Sequence, residues 1–346
     1  MSAYTPPVPP PVDPALAVQV QTRLDGLAKP PGSLGRLEAL AVRLAMIQGR
    51  LDPGVERIAC YVFAGDHGIN AEGVSAYPSE VTGAMVTTFL AGRASVNALA
   101  RACGVEVRVI DVGVAADLPA HPALTDAKVR RGARNAAVEP TLAPAEAAEA
   151  LARGEALARR AAREGVDVLA LGEMGIGNTS AAALLMHRLL PAPLDTCVGV
   201  GAGHTPAGLA HKRAVLARAA ARTDAAEPFD VLCEFGGLEI AAMAGAALGA
   251  AAERRAVLVD GFISSAAALV AERLQPAVRP YLIHAHRGAE RGHGGLLDAI
   301  GAQPLLDLDL RLGEGTGAVL AAPLLRAAAR LLTDVAALED VLAGRP

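Results

Sequence analysis

A chain of 346 residues is long enough for one large α/β domain with an accessory piece, or for two modest domains, and it can bury a substantial core. A net charge of -4, the absence of Trp and an aromatic content of 3% exclude a basic nucleic-acid surface and a row of base-stacking platforms. The cysteines Cys60, Cys103, Cys197 and Cys233 are widely separated and form no C-x-x-C pair, so they read as buried reduced thiols in a cytoplasmic protein.

The chain opens on MSAYTPPVPPPVDP, which has neither a basic n-region nor an apolar h-region and reads as a flexible, Pro-rich leader over residues 1–14. Helical segments of about 15–28 and about 333–343 have no strand between them and the nearest helix. They suggest a small helical domain of 15–30 plus 331–346, set against a large α/β catalytic domain of 31–330. Within the large part, short β-branched runs alternate with Ala/Leu/Arg segments of helical period, the pattern of parallel strands joined by crossover helices. Strands are expected at RIACYVFAG (57–65), VEVRVIDVG (105–113), VDVLALGE (166–173), AVLVDG (256–261) and PYLIHAH (280–286). The fold class is therefore α/β, a doubly wound, Rossmann-like parallel sheet. The apolar run from Ile240 to Ala252 is too short and too Ala-rich to span a bilayer.

Each expected strand ends in polar or Gly residues: GDHG, DVG, GEMGIGNTS, DGFISS and HRGAERGH. In a parallel sheet these ends emerge on one edge, where open α/β folds bind ligands. In LGEMGIGNTSAAALL, Gly175 and Gly177 allow close backbone approach, and Asn178, Thr179 and Ser180 offer donors at a helix start. This is a candidate phosphate cradle, and a plain capped strand-to-helix turn has the same spacing. Lys212 lies on an amphipathic helix, where it can serve a phosphate or face solvent. His67, His284 and His286 raise the question of a metal, but no helix-borne H-E-x-x-H spacing accompanies them, and no metal or cofactor is expected. Arg287 and Arg291 fit either an anionic ligand or a solvated helix face.

RLGEGTGAVL, from Arg311 to Leu320, sets Glu314 between two glycines just before a helix. A dinucleotide loop would read G-x-G-x-x-G, and an acid inside it would repel phosphate. A dehydrogenase is disfavoured because no G-x-G-x-x-G follows the first strand, and the D-D/E signature of magnesium-phosphoribosyl-pyrophosphate enzymes is missing.

KPPGSLGRLE (29–38), FAGDHGINAEGVSAYPSEVT (63–82), LGEMGIGNTSAAAL (171–184), EFGGLEIAAMAGA (234–246), VLVDGFISSAAAL (257–269), HRGAERGH (286–293) and LRLGEGTGA (310–318) together resemble the nicotinate-nucleotide:dimethylbenzimidazole phosphoribosyltransferase family. The resemblance runs in order through nearly the whole chain. It implies transfer of a 5-phosphoribosyl group from nicotinate mononucleotide to 5,6-dimethylbenzimidazole during assembly of the cobalamin nucleotide loop. It also implies a homodimer and a small helical domain from both chain ends. The family's catalytic base falls on Glu314, which implies that the flanking glycines let the planar base approach the backbone while the following helix's N-terminus helps keep the acid ionised. The family's phosphoribosyl loop falls on Gly175, Gly177, Asn178 and Thr179, with Lys212 on the phosphate side. Tyr77, Met85, Met174 and Leu312 fall on the aromatic-base pocket, and Glu173 is a second acid for orienting base or ribose. Gly288 stands where Ser is expected. The alternative reading is a non-catalytic nucleotide-binding or sensor protein on the same fold.

Overall fold

Runs of apolar residues that are buried on both faces can only be interior strands of a sheet covered twice. In the computed structural model, which describes residues 4–10, 12–201, 203 and 205–345, six strands form one parallel sheet: β1 Ile58–Gly65, β2 Glu106–Gly113, β3 Leu124–Asp126, β4 Val168–Met174, β5 Ala256–Val259 and β6 Leu282–His284. Their spatial order is β3-β2-β1-β4-β5-β6. The order reverses between β1 and β4, which makes this a doubly wound, Rossmann-like sheet with its crevice at those two strand ends. A further parallel pair, β7 His286–Arg287 and β8 Leu306–Asp307, continues beyond β6.

All five expected strands form, but β3 was not expected. Its three residues, LTD, sit among prolines and charged residues with no apolar run around them, and it pairs only along the outer side of β2. The expected strand 280–286 is divided. Pro280 closes a 3-10 turn over Pro276–Tyr281, and pairing shifts after His284 from β5 to β8.

Helix Leu238–Ala252 lies across β1, β2, β4 and β5 on one face, and helix Thr316–Asp334 packs on β1, β4 and β5 from the other. The latter is long and apolar enough to cross a membrane, yet much of it is buried against the sheet, so it is the core helix of the second layer. The two chain ends do meet. Leu27 and Ala337 form an antiparallel bridge, with Ala28 N–H donating to the Ala336 carbonyl at 2.9 Å. The boundary expected at 330/331 nevertheless falls inside the unbroken helix Thr316–Asp334, and Leu16, Val20 and Leu24 belong to the same core as the sheet. The leader, apart from residues 1–3 and 11, which lie outside the described residues, rests on the body. Tyr4 Oη donates to Glu155 at 2.9 Å, and Tyr281 Oη donates to the Pro10 carbonyl at 2.6 Å. Two tyrosine anchors hold it there, which its proline content alone does not reveal.

Helices Pro144–Arg163 and Leu238–Ala252 touch almost backbone to backbone. A Cβ at Gly154 would sit 1.9 Å from the Ala242 carbonyl oxygen, and one at Gly245 would sit 1.9 Å from that of Leu151. Gly245→Ala raises intrinsic helix propensity by about 1 kcal/mol, but overpacking of this kind costs roughly 1–3 kcal/mol. The variant should therefore be net destabilised, read as a lowered urea midpoint. An unchanged or raised midpoint would mean that the two helices can separate freely.

Candidate active site

The crevice at the ends of β1 and β4 is held closed by small residues. A Cβ at Gly175 would lie 2.3 Å from the Gly65 carbonyl, so the loop after β4 crosses directly over the end of β1. Gly177, at φ 97°, caps helix Asn178–Leu189, and Ile176 N–H donates to Thr82 Oγ1 at 3.1 Å. Below this loop His67 Nε2 lies 2.6 Å from Glu239 Oε1, both side chains being buried. Burial pulls the His67 imidazole down, but the Glu239 carboxylate, with help from Asp66, outweighs it and holds the ring above its ordinary value.

Of the residues expected to hold phosphate, Gly175, Gly177, Asn178 and Thr179 line a cavity of about 430 Å³. Lys212 is not a surface residue. It is buried, and its Nζ donates to Thr179 Oγ1 at 2.8 Å. Burial lowers the Lys212 ammonium to about 8, with the Glu290 carboxylate opposing the shift. Gly201 joins this cradle, because a Cβ there would stand 3.1 Å from Thr179 Oγ1 and 3.4 Å from Lys212 Nζ. Asn178 is turned differently from the rest: its side-chain amide donates to the Glu173 carboxylate.

The 311–317 loop closes the cavity from the opposite side. Gly313, Glu314 and Gly315 have φ of 88°, 63° and 85°, three successive left-handed residues of which only Glu314 carries a side chain. Their neighbours give the glycines a packing role that the sequence did not suggest. A Cβ at Gly313 would meet Glu173 Oε1 at 2.2 Å, one at Gly315 would meet Cys60 Sγ at 2.4 Å, and one at Gly317 would meet His286 Cδ2 at 2.0 Å. The glycines press the loop onto protein atoms, and Gly313 also lines the cavity.

The helix that holds Glu314 is also not the one expected. Its Oε2 accepts from Val96 N–H at 3.2 Å, in the first turn of helix Ser95–Cys103. The N-terminus of helix Thr316–Asp334 is taken by Asp260, whose Oδ1 accepts from Ala318 N–H at 2.8 Å and which lies 3.6 Å from His286 Nε2. Burial pushes the Glu314 carboxyl up, the Val96 N–H pulls it back, and the Asp260 charge adds to the rise. Sequence reasoning did not nominate Asp260, Glu239 or Arg311. An aspartate ending a buried strand was the available signal for the first.

Tyr77, Met85, Met174 and Leu312 all line the same cavity, with Val81, Ile176 and Phe262 completing an apolar wall. Tyr77 and Leu312 are about half exposed and stand at its mouth. Gly288 lines it too, and a Cβ there would lie 2.8 Å from His293 Nδ1, a ring fixed by Ser265 Oγ at 3.0 Å. The expected serine has no room beside that ring. Arg287 pairs with Asp298 at 2.9 Å, and neither Arg287 nor Arg291 lines the cavity. His284 faces a different cavity, and among the described residues no three His, Cys, Asp or Glu side chains are placed to hold a metal ion.

This arrangement can bind an anion at one end and an apolar ring at the other, with a carboxylate in reach of both. A family model described as phosphoribosyltransferase matches residues 9–341. The chain belongs to this phosphoribosyltransferase family. It is 53% identical over 327 residues to the nicotinate-nucleotide--dimethylbenzimidazole phosphoribosyltransferase of Cupriavidus necator, covering 94% of each chain. It is 51% identical to the protein of that name from Deinococcus radiodurans, covering 95% of this chain and 92% of the relative. The crystal structure of CobT from Thermus thermophilus superimposes with a TM-score of 0.91 at 49% identity, over 95% of this chain and 98% of that one.

In this phosphoribosyltransferase Glu173 is pushed up to about 8, first by burial and then by the Asp260 and Glu239 carboxylates, against the hydrogen bond from Asn178. It keeps a proton that the unfolded chain gives up near the ordinary value of 4.5. The folded state therefore binds more protons between those values, and stability must fall as pH rises through about 8. Glu173→Gln, which mimics the protonated acid, should flatten this slope in urea unfolding compared at about pH 5.5 and about pH 8.5. A wild-type slope retained in the variant would assign the effect to another group.

Proposed function

We propose that the chain transfers the 5-phosphoribosyl group of nicotinate mononucleotide to 5,6-dimethylbenzimidazole, giving α-ribazole 5'-phosphate and nicotinate, in assembly of the cobalamin nucleotide loop. Relatives about half identical over more than nine-tenths of their length carry those substrates in their names. The observation that carries the reading is Glu314, a carboxylate aimed into a cavity whose walls divide into an anion cradle and an apolar slot. A non-catalytic sensor would have no use for a buried acid held in a left-handed conformation, which costs on the order of 1–3 kcal/mol.

The chemistry requires little beyond this. The donor's glycosidic nitrogen belongs to a pyridinium, so the C–N bond breaks with its electron pair passing to the ring and no acid is needed. One benzimidazole nitrogen attacks the ribose carbon from the opposite face while Glu314 accepts the proton of the other nitrogen. Thr179 and Lys212, with the N–H groups at the start of helix Asn178–Leu189, hold the 5-phosphate. Tyr77, Met85, Met174 and Leu312 enclose the aromatic base. Glu173, protonated at neutral pH, orients Asn178 and the floor of the site. A cytoplasmic homodimer belongs to the same reading.

Incubation with both substrates should release nicotinate and an α-linked ribazole phosphate, separated by chromatography, and activity should survive chelation. Glu314→Gln should lose about 10²- to 10⁴-fold in turnover; turnover near that of the parent enzyme would remove Glu314 from the role of base. Because the Glu314 carboxyl is raised and acts ionised, the acid limb of kcat/KM should fall at a pH above the ordinary 4.5. Gly177→Val, at φ 97° with a Cβ 3.3 Å from His67 Cβ, should raise KM for the nucleotide far more than KM for the base. Equal effects on both would point to a general folding defect.

A further inference from the structure

Beyond the edge strand β6 lies a second cavity of about 320 Å³ that shares no lining residue with the catalytic one. Its polar walls are Arg36 and Arg43 on helix Arg36–Gln48, Arg279 in the turn before β6, His284 at the end of β6, Glu272 on helix Phe262–Leu274, and Gln303. Three guanidiniums face a single carboxylate, which leaves two positive charges uncompensated.

Backbone carbonyls fix how these guanidiniums point. Arg43 donates from Nε to Pro280 at 3.0 Å and from Nη2 to Arg279 and Leu282, leaving Nη1 with no hydrogen bond among the described residues. Arg36 uses only Nη2, toward the carbonyls of Gln303 and Pro304. Arg279 Nη2 donates to Ile300 at 2.6 Å, and its Nη1 stands 3.5 Å from Glu272. Between them His284 is only 8% exposed, and its Nδ1 has no partner. The positive potential registers on the residues themselves. Burial and then Arg279 lower Arg43 to about 10, and burial with Arg43 and Arg279 lowers His284 to about 4.

We propose that this cavity binds a phosphate dianion, as the free ion or as the phosphate of a small ribose ester. A phosphate monoester carries about -1.5 to -2 charge at neutral pH, matching the two-charge excess, whereas a carboxylate would leave one positive charge unmet. Oriented guanidinium edges suit tetrahedral oxyanions, and the volume lies in the range of small-molecule sites. Nothing in this assignment depends on the reaction proposed above. The competing account is that the arginines only clip carbonyls together and that the cavity holds water.

The test uses the full chain and the imidazole ¹H–¹⁵N signals of His284, which report this cavity and not the catalytic cradle. Titration with inorganic phosphate, and separately with ribose 5-phosphate, at constant ionic strength in chloride, should shift His284 saturably and raise its titration midpoint. The shift should persist in Lys212→Met, which disables the catalytic cradle, and the affinity should fall at least about tenfold in R36Q/R279Q, since charge-assisted hydrogen bonds are lost. The ligand acting at the lower concentration identifies the source. A His284 signal indifferent to both ligands in the unaltered protein overturns the proposal whether or not the double variant folds. So does a single phosphate-binding event that vanishes in Lys212→Met.

Discussion

A buried aspartate at the end of β5 sets the geometry of the catalytic edge. Asp260 is 1% exposed, accepts the Ala318 N–H in the first turn of helix Thr316–Asp334, and stands 3.6 Å from His286. A carboxylate in that position is costly to desolvate, and burial accordingly raises its pKa, against His286 and the helix N–H groups. The helix N-terminus and the imidazole offset the cost. Because one side chain joins the end of β5, the end of the β6–β7 segment and the start of the following helix, the 313–317 turn has little freedom left. Removing one partner from such a buried group typically costs about 3–5 kcal/mol, which is why the acid persists in a site that already holds Glu173 and Glu314.

The tightness of that turn follows from the sheet. Strands β1 and β4 flank the point where strand order reverses, and their ends project side by side. Gly172 within β4 has no Cβ, and one placed there would lie 2.6 Å from the Glu314 carbonyl. The loop therefore rests on the strand itself, with Cys60 of β1 beneath it at 3.9 Å from the same carbonyl. At 172, 313, 315 and 317 protein atoms occupy the space a side chain would need, and at 313 and 315 the left-handed backbone favours glycine as well. Of the two side chains in the turn, Thr316 folds back to donate to the Gly313 carbonyl at 2.8 Å and Glu314 lines the cavity.

Much of this was legible in the sequence. The five expected strands show as β-branched runs, and their polar ends gather on one edge because parallel strands must do so. Glu314 stood out as an acid where a phosphate loop would have none. Partners distant in sequence were not legible. Glu314 meets Val96 across 218 positions, and His67 meets Glu239 across 172, and neither pairing leaves a local pattern. Asp260 looked like an ordinary strand terminus, and Lys212 like one more cation on an amphipathic helix. β3 has no apolar run around it, and the leader's anchoring depends on Tyr4 and Tyr281, which are remote from each other in the chain.

Three carboxyl groups in one crevice would be an electrostatic liability if all were ionised, and their environments divide the work among them. Among the described residues Glu173 has no cationic partner and accepts only an amide donor from Asn178, and burial with the neighbouring carboxylates makes it hold a proton at neutral pH. Asp260 has an imidazole and a helix N-terminus, which favour its charged form. Glu314 is raised by partial burial and the Asp260 charge, against one N–H from a helix start. A general base works best when its pKa is raised above that of an ordinary carboxylate without its losing the proton-accepting form. The neutral Glu173 beside it adds no second repulsive charge, so its protonation favours the ionised form of Glu314 that the proposed role of base requires.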